Sequence, residues 1–272
     1  MKNWQQILLT LQMIRWQFWE SGLDCVSRFC ARFNFRSEMP KLESSGSPIP
    51  PVKLRIRIGN ASRKNYLAIG KRVSIKLIKH VGKYAIIENF EHVLDWGCGS
   101  GRVARYVRQN VSSARFYGCD IDPDAIAWVQ NAFPDLSFTN INPNPPTTYK
   151  NSFFDFIYGI SVFTHLNEHN QFLWLDELRR ITRINGIVAV TVHGGNPTDN
   201  PKILESLQSK GFSDIEGDRS IFFSHFLQDD YYRLTKHSKE YVMREWTKYF
   251  DILEFFENGI GRQDLVIMKR SH

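Results

Sequence analysis

From residue 92 onward the chain alternates short apolar strand patterns with amphipathic helix patterns, and this alternation restricts the fold more than any other feature. The first strand, at 92–97, is followed by a helix pattern over 102–110, and the same succession recurs up to a strand at 186–193. Strands that alternate with helices form a parallel sheet covered by helices on both faces. We therefore predict an α/β fold with a Rossmann-like, doubly wound sheet. The other predicted strands span 115–121, 136–141 and 153–163, and the other helices span 66–82, 123–133, 168–183 and 239–250.

The end of the chain departs from this alternation. Two apolar strands, at 250–257 and 264–270, are joined by a short loop, Asn-Gly-Ile-Gly-Arg-Gln. Strands so close in sequence pair as a hairpin, so we predict that the last strand is reversed in an otherwise parallel sheet. The loop then lies at the edge where the parallel strands end. Arg262, Gln263 and Asp264 are interpreted either as a polar turn or as ligand contacts at that edge.

A glycine-rich loop follows the first strand. Gly97, Gly99 and Gly101 occupy every second position, and Asp95 precedes them. Such a turn between strand and helix lets the backbone approach a nucleotide-like ligand closely. Read from Gly99 to Ala104, the loop also fits the dinucleotide pattern G-x-G-x-x-A, which alone is a weak signal. A carboxylate before the glycines disfavours a phosphate and favours the amino group of an aminoacyl ligand.

A second acidic residue ends the next strand. Asp120 lies 19 residues after Gly101, where a carboxylate can accept hydrogen bonds from both ribose hydroxyls. NAD and an adenosyl ligand both carry that diol, so Asp120 does not decide between them. Ile121 can cover an adenine face. Asp122 is the better candidate for capping the helix that begins at Pro123.

Four segments in order resemble the successive motifs of class I S-adenosylmethionine-dependent methyltransferases. They are Val-Leu-Asp-Trp-Gly-Cys-Gly-Ser-Gly-Arg at 93–102, and the segments at 117–126, 154–166 and 175–194. The resemblance covers residues from about 85 to 193, and the predicted hairpin agrees with the reversed strand that ends the family's sheet. The tail of the chain is similar to bacterial members that act on small molecules or sugars.

This resemblance implies S-adenosylmethionine as the cofactor and assigns residues to its parts. Asp95 and the loop glycines would hold the methionyl end, Asp120 the ribose, and Ile121 the adenine. The segment 140–143, with Ile141, would meet the adenine edge, although asparagines stand there where many members have an acidic residue. The residues that would line the floor under the methionyl portion are Gly159, Ile160 and Ser161.

A hydroxyl acceptor would need a general base, and imidazole suits that role because its ordinary pKa is near 6.5. Two histidines, His165 and His193, follow strands at their carboxyl ends, where open α/β sheets bind ligands. We predict that one of them takes the acceptor's proton. His169 and His237 are weaker candidates, and His80 is expected at the surface.

The N-terminal part of the chain is predicted to be a separate extension. Residues 4–35 have helical apolar spacing with interleaved arginines and aromatics, and 37–51 has the composition of a linker. We therefore divide the chain into an N-terminal helical extension with its linker, 1–51, and a methyltransferase domain, 52–272. The extension is interpreted as a packed helix pair, a lid over the substrate, or an interfacial helix that gives peripheral membrane contact.

Composition narrows the partners and the compartment. The formal net charge of the 272 residues is +7, without a dense Lys/Arg run, which favours an acidic small molecule or a membrane surface over specific nucleic-acid binding. The four cysteines form no C-x-x-C pair, so no metal site is expected. Cys98, in the glycine loop, and Cys119, on the next strand, are in positions that do not suit a disulfide, so we predict a reducing, cytoplasmic compartment. Gly-Ile-Ser-Val at 159–162 is unlike the Asn-Pro-Pro-Tyr tetrapeptide of amino-nucleobase methylation.

The sequence therefore predicts an enzyme that transfers a methyl group from S-adenosylmethionine to a small-molecule or saccharide acceptor, at a hydroxyl. Two alternatives remain open at this point. One is an NAD-type oxidoreductase, which the dinucleotide-like pattern favours. The other is a cofactor-binding or membrane-associated protein without catalysis. The oligomeric state is left open.

Overall fold

A computed structural model of the protein describes residues 48–214 and 231–271. The predicted helices of 4–35, and the predicted linker up to residue 47, lie outside the described residues. The chain separates into two compact units, of which one ends at Ala61 and the other spans Ser62–His272. The first unit contains helix α1, Val52–Arg57, whose Arg55 guanidinium donates to the carbonyl of Ala61 at 3.0 Å. The division at 51/52 stays a prediction.

The second unit is an α/β domain with a mixed sheet. The helices are α2 Arg63–Val81, α3 Ala104–Asn110, α4 Pro123–Ala132, α5 Glu168–Ile181, α6 Pro201–Lys210 and α7 Lys239–Glu245. The strands are β1 His92–Trp96, β2 Arg115–Asp120, β3 Ser137–Asn140, β4 Phe154–Gly159, β5 Thr182–Val192, β6 Phe212–Ser213, β7 Lys236–His237, β8 Asp251–Ile260 and β9 Gln263–Lys269. Within the described residues, seven strands form one sheet in the order β3-β2-β1-β4-β5-β9-β8.

The pairing of the strands confirms the predicted fold class. Strands β1 to β5 pair in parallel, whereas β9 is antiparallel to both β5 and β8. The strand β8 runs through the segment predicted as a loop, because a register shift between Phe256 and Ile260 absorbs Asn258, whose φ is +51°. The connecting turn is therefore shorter than predicted and contains Gly261 and Arg262.

The sheet separates two apolar layers. One layer packs α2, α3 and α4 on the sheet, and the other packs α5 and α7. Phe163, which ends the strand predicted at 153–163, is fully buried in the second layer, with its ring 5.0 Å from Trp96 and 4.7 Å from Trp246. After β4 the chain turns into a short 3₁₀ helix, Phe163–His165, and Phe163 begins this helix with its side chain buried. Phe163 is therefore a packing residue.

Side-chain caps fix where the helices begin. Asp122 Oδ1 accepts from the backbone N–H groups of Asp124 and Ala125, as predicted for the start of α4. Asn167 caps α5 in the same way through the N–H of Asn170. These caps fix the starts of α4 and α5, which follow the carboxyl ends of β2 and β4.

Between β5 and α7 lies a region for which the sequence predicts no helix or strand. Helix α6 begins after the cap Asn200 and ends at Gly211, whose φ of +78° is typical of a helix C-terminus. Strand β7 lies just before α7, and the backbone N–H of His237 in this strand donates to the carbonyl of His193 at 2.8 Å. Across 48–214 and 231–271, the structure contains no helix long and apolar enough to cross a bilayer.

Candidate active site

The glycine loop joins β1 to α3 in a conformation that few other residues adopt. The φ angles of Gly97, Gly99 and Gly101 are +75°, +50° and +74°. A Cβ at Gly97 would collide with the side chain of Val162, so a side chain there has no room. The backbone N–H of Gly97 and of Cys98 donates to the carbonyl of Cys119, which ties the loop to β2.

Asp120 supports this loop from the end of β2. Its Oδ2 accepts from the N–H of Gly99 at 2.7 Å, and its Oδ1 accepts from the N–H of Asp122 at 2.8 Å. Burial raises the pKa of Asp120 to about 6, against the lowering effect of these two hydrogen bonds. Each carboxylate oxygen keeps a second lone pair, so the group can still accept from a ribose diol.

Asp95 lies beneath the loop and is buried. Its Oδ2 accepts from the hydroxyl of Tyr158, on the neighbouring strand β4, at 2.8 Å. Burial raises the pKa of Asp95 to about 7; the hydrogen bond from Tyr158 opposes this shift, and the nearby charge of Asp120 adds to it. Two carboxyl groups that share little water stabilise a cation placed beside them.

The residues predicted for the adenine lie beside Asp120. The N–H of Ile141 and the side-chain amide of Asn140 both donate to the carbonyl of Asp120, at 3.0 and 2.9 Å. Ile121 and Ile141 are partly exposed. The structure therefore brings the ends of β2 and β3 together, although contact of these residues with adenine stays a prediction.

The predicted floor follows β4. A Cβ on Gly159 would lie 2.6 Å from the indole of Trp96, so only glycine fits where β4 passes β1. Ile160 is partly exposed, and Ser161 has a φ of +61°, which is unusual for a residue with a side chain. The N–H of Ser161 donates to Thr191 Oγ1 at 2.8 Å, which holds this turn against β5.

His165 has a fixed orientation. Its Nδ1 lies 3.1 Å from the carbonyl of Arg233, and a carbonyl only accepts, so Nδ1 carries the proton. The ring stacks on Tyr232 with the centroids 4.0 Å apart. Burial lowers the pKa of His165 to about 4, so the ring is neutral at pH 7. Its Nε2 has no hydrogen-bond partner within the described part of the chain and retains its lone pair.

His193 lies at the end of β5 and contacts the hairpin turn. Its Nε2 is 3.5 Å from the side-chain nitrogen of Gln263, which also donates to Ser161 Oγ. Gln263 therefore joins the ends of β4, β5 and β9. Contact of the turn with a ligand stays a prediction. Gln263 Oε1 is buried and has no partner among residues 48–214 and 231–271. Burial lowers the pKa of His193 to about 4.

The other histidines are outside this arrangement. His237 is fully buried and hydrogen-bonded through Nε2 to Gln171, and His169 is exposed on α5. His80 is half-buried on α2, where its ring lies 4.1 Å from Phe256, so the prediction of a surface position is wrong in part. An apolar partner on β8, distant in sequence, covers it.

Two contacts of the loop have no local sequence signal. The hydroxyl of Tyr66, on α2, lies 3.0 Å from the carbonyl and 3.2 Å from the Oγ of Ser100, and it donates to one of them. Tyr158 reaches Asp95 from β4. Both tyrosines lie more than 30 residues from their partners, so only the folded chain identifies them as supports of the loop.

One group of potential metal ligands lies at the opposite edge of the sheet. Glu91, His92 and Asp155 have ligand atoms close together at the starts of β1 and β4. Arg183 donates to both Glu91 and Asp155, at 2.9 and 2.7 Å, and the N–H of His92 donates to Asp155. Arg183 therefore pairs with both carboxylates of the group and links the starts of β1 and β4.

Comparison with known proteins identifies this architecture. Residues 94–190 match the family model described as a methyltransferase domain. The chain carries a class I S-adenosylmethionine-dependent methyltransferase domain. The match begins within β1 and ends within β5, so it includes the glycine loop, Asp120 and His165. S-adenosylmethionine is the cofactor of this family, which confirms the predicted cofactor over NAD.

Solved structures of methyltransferases have the same fold. A SAM-dependent methyltransferase from Methanosarcina mazei aligns with a TM-score of 0.51 and 18% identity, over 70% of this chain and 96% of its own. A second one, from Aquifex aeolicus, aligns with a TM-score of 0.51 and 15% identity, over 76% and 97%. At this identity the likeness concerns the fold alone.

The curated relatives match over a shorter stretch. Trans-aconitate 2-methyltransferases from Escherichia coli are 32% identical in strain O1:K1 and 34% in strain 55989, over 74 residues in each case. The chain spans 28% of the length of these relatives, and the match covers 27% of the chain. This partial match supports the assignment of the methyltransferase domain, and it does not identify the methyl acceptor.

The residues present fit the cofactor of the family. The loop leaves the space that side chains would otherwise fill, and Asp120 offers acceptors for a diol beside it. The raised pKa values of Asp95 and Asp120 show carboxyl groups whose negative charge the surrounding protein does not fully stabilise. The ammonium and sulfonium of S-adenosylmethionine would supply the opposite charge.

We expect Asp120→Ala to weaken S-adenosylmethionine binding by about one to two powers of ten. The change removes charge-assisted hydrogen bonds, each worth roughly 1.5–3 kcal/mol, and it leaves the Gly99 N–H without its acceptor. Titration calorimetry measures the affinity, and Asp135→Ala serves as the matched control, because Asp135 forms an exposed ion pair with Arg108. Unchanged affinity in a folded Asp120 variant would end the ribose assignment.

Cofactor affinity should rise between pH 5.5 and 7.5. With pKa values of about 7 and 6, Asp95 and Asp120 lose their protons across this range, and the anionic forms attract the cationic cofactor. The same raised carboxyl pKa values reduce the stability of the fold without cofactor as the pH rises toward 7, so the Tm without cofactor and the cofactor affinity should change in opposite directions. We expect an increase in affinity of at least about tenfold, because a carboxyl group with a pKa of about 7 goes from roughly 3% ionised at pH 5.5 to roughly 76% ionised at pH 7.5.

Calorimetry at both pH values, with Asp95→Asn as a variant, checks this prediction. The asparagine side chain would still accept from Tyr158 but would not titrate, so the pH dependence of this variant should be weaker. A pH-independent affinity in the wild-type protein would contradict the role of the two carboxyl groups.

Proposed function

We propose that the protein transfers a methyl group from S-adenosylmethionine to a hydroxyl of a small-molecule or saccharide acceptor. The observation that carries the proposal is the hydrogen bonding of His165: its Nδ1 donates to the carbonyl of Arg233, and its Nε2 has no hydrogen-bond partner among residues 48–214 and 231–271. When bound, the cofactor supplies an electrophilic methyl group on its sulfonium. The chain's own residues must then orient the acceptor and receive its proton.

His165 is the stronger candidate for the base. Because the side-chain amide of Gln263 donates to Nε2 of His193, the lone pair of His193 is already engaged. The lone pair of His165 is not, and the stacked Tyr232 holds its ring in place. A neutral imidazole of low pKa accepts the proton of a hydroxyl as the oxygen becomes positively charged during methyl transfer.

Gln263 supports a hydroxyl-bearing acceptor. Its Oε1 is a buried acceptor without a donor in the described chain, and a buried polar atom is usually paired. A second hydroxyl of the acceptor molecule would donate to it. A polyhydroxylated compound such as a saccharide offers such donors in number, which favours it over an acceptor that has carboxylates alone.

The N-terminal extension of 1–51, as lid or membrane contact, and the cytoplasmic location both remain proposals. The family match gives the domain class, and the extension lies before the matched residues. Deletion of residues 1–36 separates the two roles, since loss of turnover at unchanged cofactor affinity supports a lid.

The test of the function is a methyl-acceptor screen. The purified protein is incubated with S-adenosylmethionine and panels of sugars, hydroxylated small molecules and trans-aconitate, and products are identified by mass spectrometry. A methyl ether supports the proposal. Methylation of trans-aconitate would instead make this protein similar in activity to its curated relatives. NAD binding in place of S-adenosylmethionine would overturn the assignment.

Gln263→Leu should raise the KM for the acceptor by about three- to tenfold, because the variant loses one or two hydrogen bonds to the acceptor. Leucine keeps the approximate volume but neither donates nor accepts, and the cofactor affinity should stay unchanged. Gln109→Leu, on the exposed end of α3, is the matched control. Equal KM values for the two variants would show that Gln263 is a structural turn residue.

A further inference from the structure

A basic stretch of the chain lies outside the cofactor site. No aspartate or glutamate occurs between Glu43 and Glu88, and α2 falls within this interval. Among its 19 residues the helix contains six lysines or arginines and no acidic residue. The helix therefore has no acidic neighbours of its own to neutralise it.

Helical spacing sorts the residues of α2 onto two faces. One face is buried and consists of Tyr66, Gly70, Val73, Ser74, Leu77 and Val81. The opposite face carries five cations, of which Lys76 is half-buried and the others are exposed: Lys64, Lys71, Arg72, Lys76 and Lys79. Residues three and four positions apart are neighbours on a helix, so Arg72, Lys76 and Lys79 form one continuous cluster.

These cations have no counter-charge within the described chain. Other basic side chains of the domain form ion pairs, for example Arg183 with Asp155 at 2.7 Å and Arg180 with Glu177 at 2.7 Å. None of the five cations on the outer face of α2 has an acidic partner in 48–214 or 231–271. Like charges at this spacing repel each other, and an external anion removes that repulsion.

An apolar side chain lies in the middle of the cluster. Ile75 is 58% exposed, and Lys71, Arg72 and Lys79 are its neighbours at four, three and four positions along the helix. A soluble polyanion would match the charges and leave Ile75 in water. A lipid surface satisfies both, because the cations reach the phosphate headgroups while the isoleucine enters the boundary of the acyl chains.

We propose that the outer face of α2 is a docking surface for an anionic lipid membrane. The partner is a bilayer whose headgroups carry net negative charge, and the contact is peripheral. The surface is distinct from the residues of the cofactor site and from residues 1–36. Its test does not depend on methyl transfer.

The experiment measures binding of the full chain to sedimented vesicles. We expect the protein to bind vesicles of phosphatidylcholine and phosphatidylglycerol at least about tenfold more tightly than vesicles of phosphatidylcholine alone, and less tightly at high salt. The triple variant K71E/R72E/K76E should lose this preference. The matched control K150E/K202E/K239E changes the same number of charges at exposed positions elsewhere and should keep most of it.

Two further readouts decide the nature of the partner. Ile75→Ser should lower vesicle binding about two- to fivefold, with no effect on binding to duplex DNA or polyphosphate, because it removes apolar contact and leaves the charges in place. Circular dichroism checks that α2 is retained in each variant. Equal vesicle binding by the two triple variants overturns the proposal, as does a loss confined to the soluble polyanions. Failure of the acceptor screen has no bearing on either result.

Discussion

Gly99→Val is expected to abolish S-adenosylmethionine binding, with a loss of affinity of at least about a hundredfold, while the fold is kept. Gly99 has a φ of +50°, and its N–H donates to Asp120 Oδ2 at 2.7 Å. A β-branched residue is strained in this region by about 1–3 kcal/mol, and moving out of it would also break the hydrogen bond to Asp120. The branched side chain would project from the loop that the cofactor must approach.

The matched control is Gly261→Val. Gly261 has a similar φ of +66°, lies in the turn between β8 and β9, and has open space within 4 Å of the position that a Cβ would take. Valine there introduces the same kind of backbone strain without touching the glycine loop. Calorimetry compares the two variants, and circular dichroism and Tm report on the fold. If Gly99→Val binds the cofactor as well as Gly261→Val does, the loop is not the cofactor cradle.

Much of the fold could be predicted because its signals are local. Periodicity of two and of 3.6 residues separates the strands from the helices, and the closeness of the last two strands predicts their reversed pairing. The glycines and Asp120 are recognisable because their task is performed by backbone and by one short side chain. Helix caps such as Asp122 follow from the residue itself and its distance to the next proline.

What could not be predicted depends on contacts between distant segments. Strand β8 continues to Ile260 because a bulge around Asn258 lets the strand go on pairing with β9. An Asn-Gly pair in the sequence is compatible with a bulge and with a turn, so it does not distinguish them. The burial of Phe163 depends on Trp96 and Trp246, which come from other parts of the chain. The orientation of His165 depends on a carbonyl 68 residues away, at Arg233. Sequence patterns identify such residues as candidates, and only packing assigns their roles.

The same distinction separates the two histidines. Both follow strand ends, so the sequence ranks them nearly equally. The hairpin turn then brings Gln263 against His193, and the segment before β7 brings Arg233 against His165. One ring nitrogen is engaged in each case, but the free atom differs: His165 keeps the basic Nε2, whereas His193 keeps Nδ1. The choice of base therefore follows from hydrogen-bond geometry.

His165→Ala is expected to lower the rate of the chemical step by roughly 10²–10⁴ with cofactor affinity unchanged. The reason is the loss of an imidazole that the carbonyl of Arg233 holds through Nδ1 and whose Nε2 has no hydrogen-bond partner in the described chain. With a pKa of about 4, the wild-type ring is neutral from about pH 5.5 upward, so its protonation should not reduce activity in that range. Any decline in activity between pH 7.5 and 5.5 should then come from the carboxyl groups of the cofactor site. Single-turnover kinetics with an identified acceptor measures the rate.

Three further replacements separate catalysis from structure. His165→Asn retains a side-chain amide that can donate to Arg233 but has no basic nitrogen, so it should be as slow as the alanine variant if His165 is the base. His169→Ala, on the exposed surface of α5, should have wild-type activity. His193→Ala should reduce the rate less than His165→Ala does, because its Nε2 already accepts from Gln263. If His165→Asn restores turnover, His165 positions the Arg233 segment and another group takes the proton. If both histidines can be replaced without loss, the acceptor needs no base, as expected for a thiolate or a carbanion.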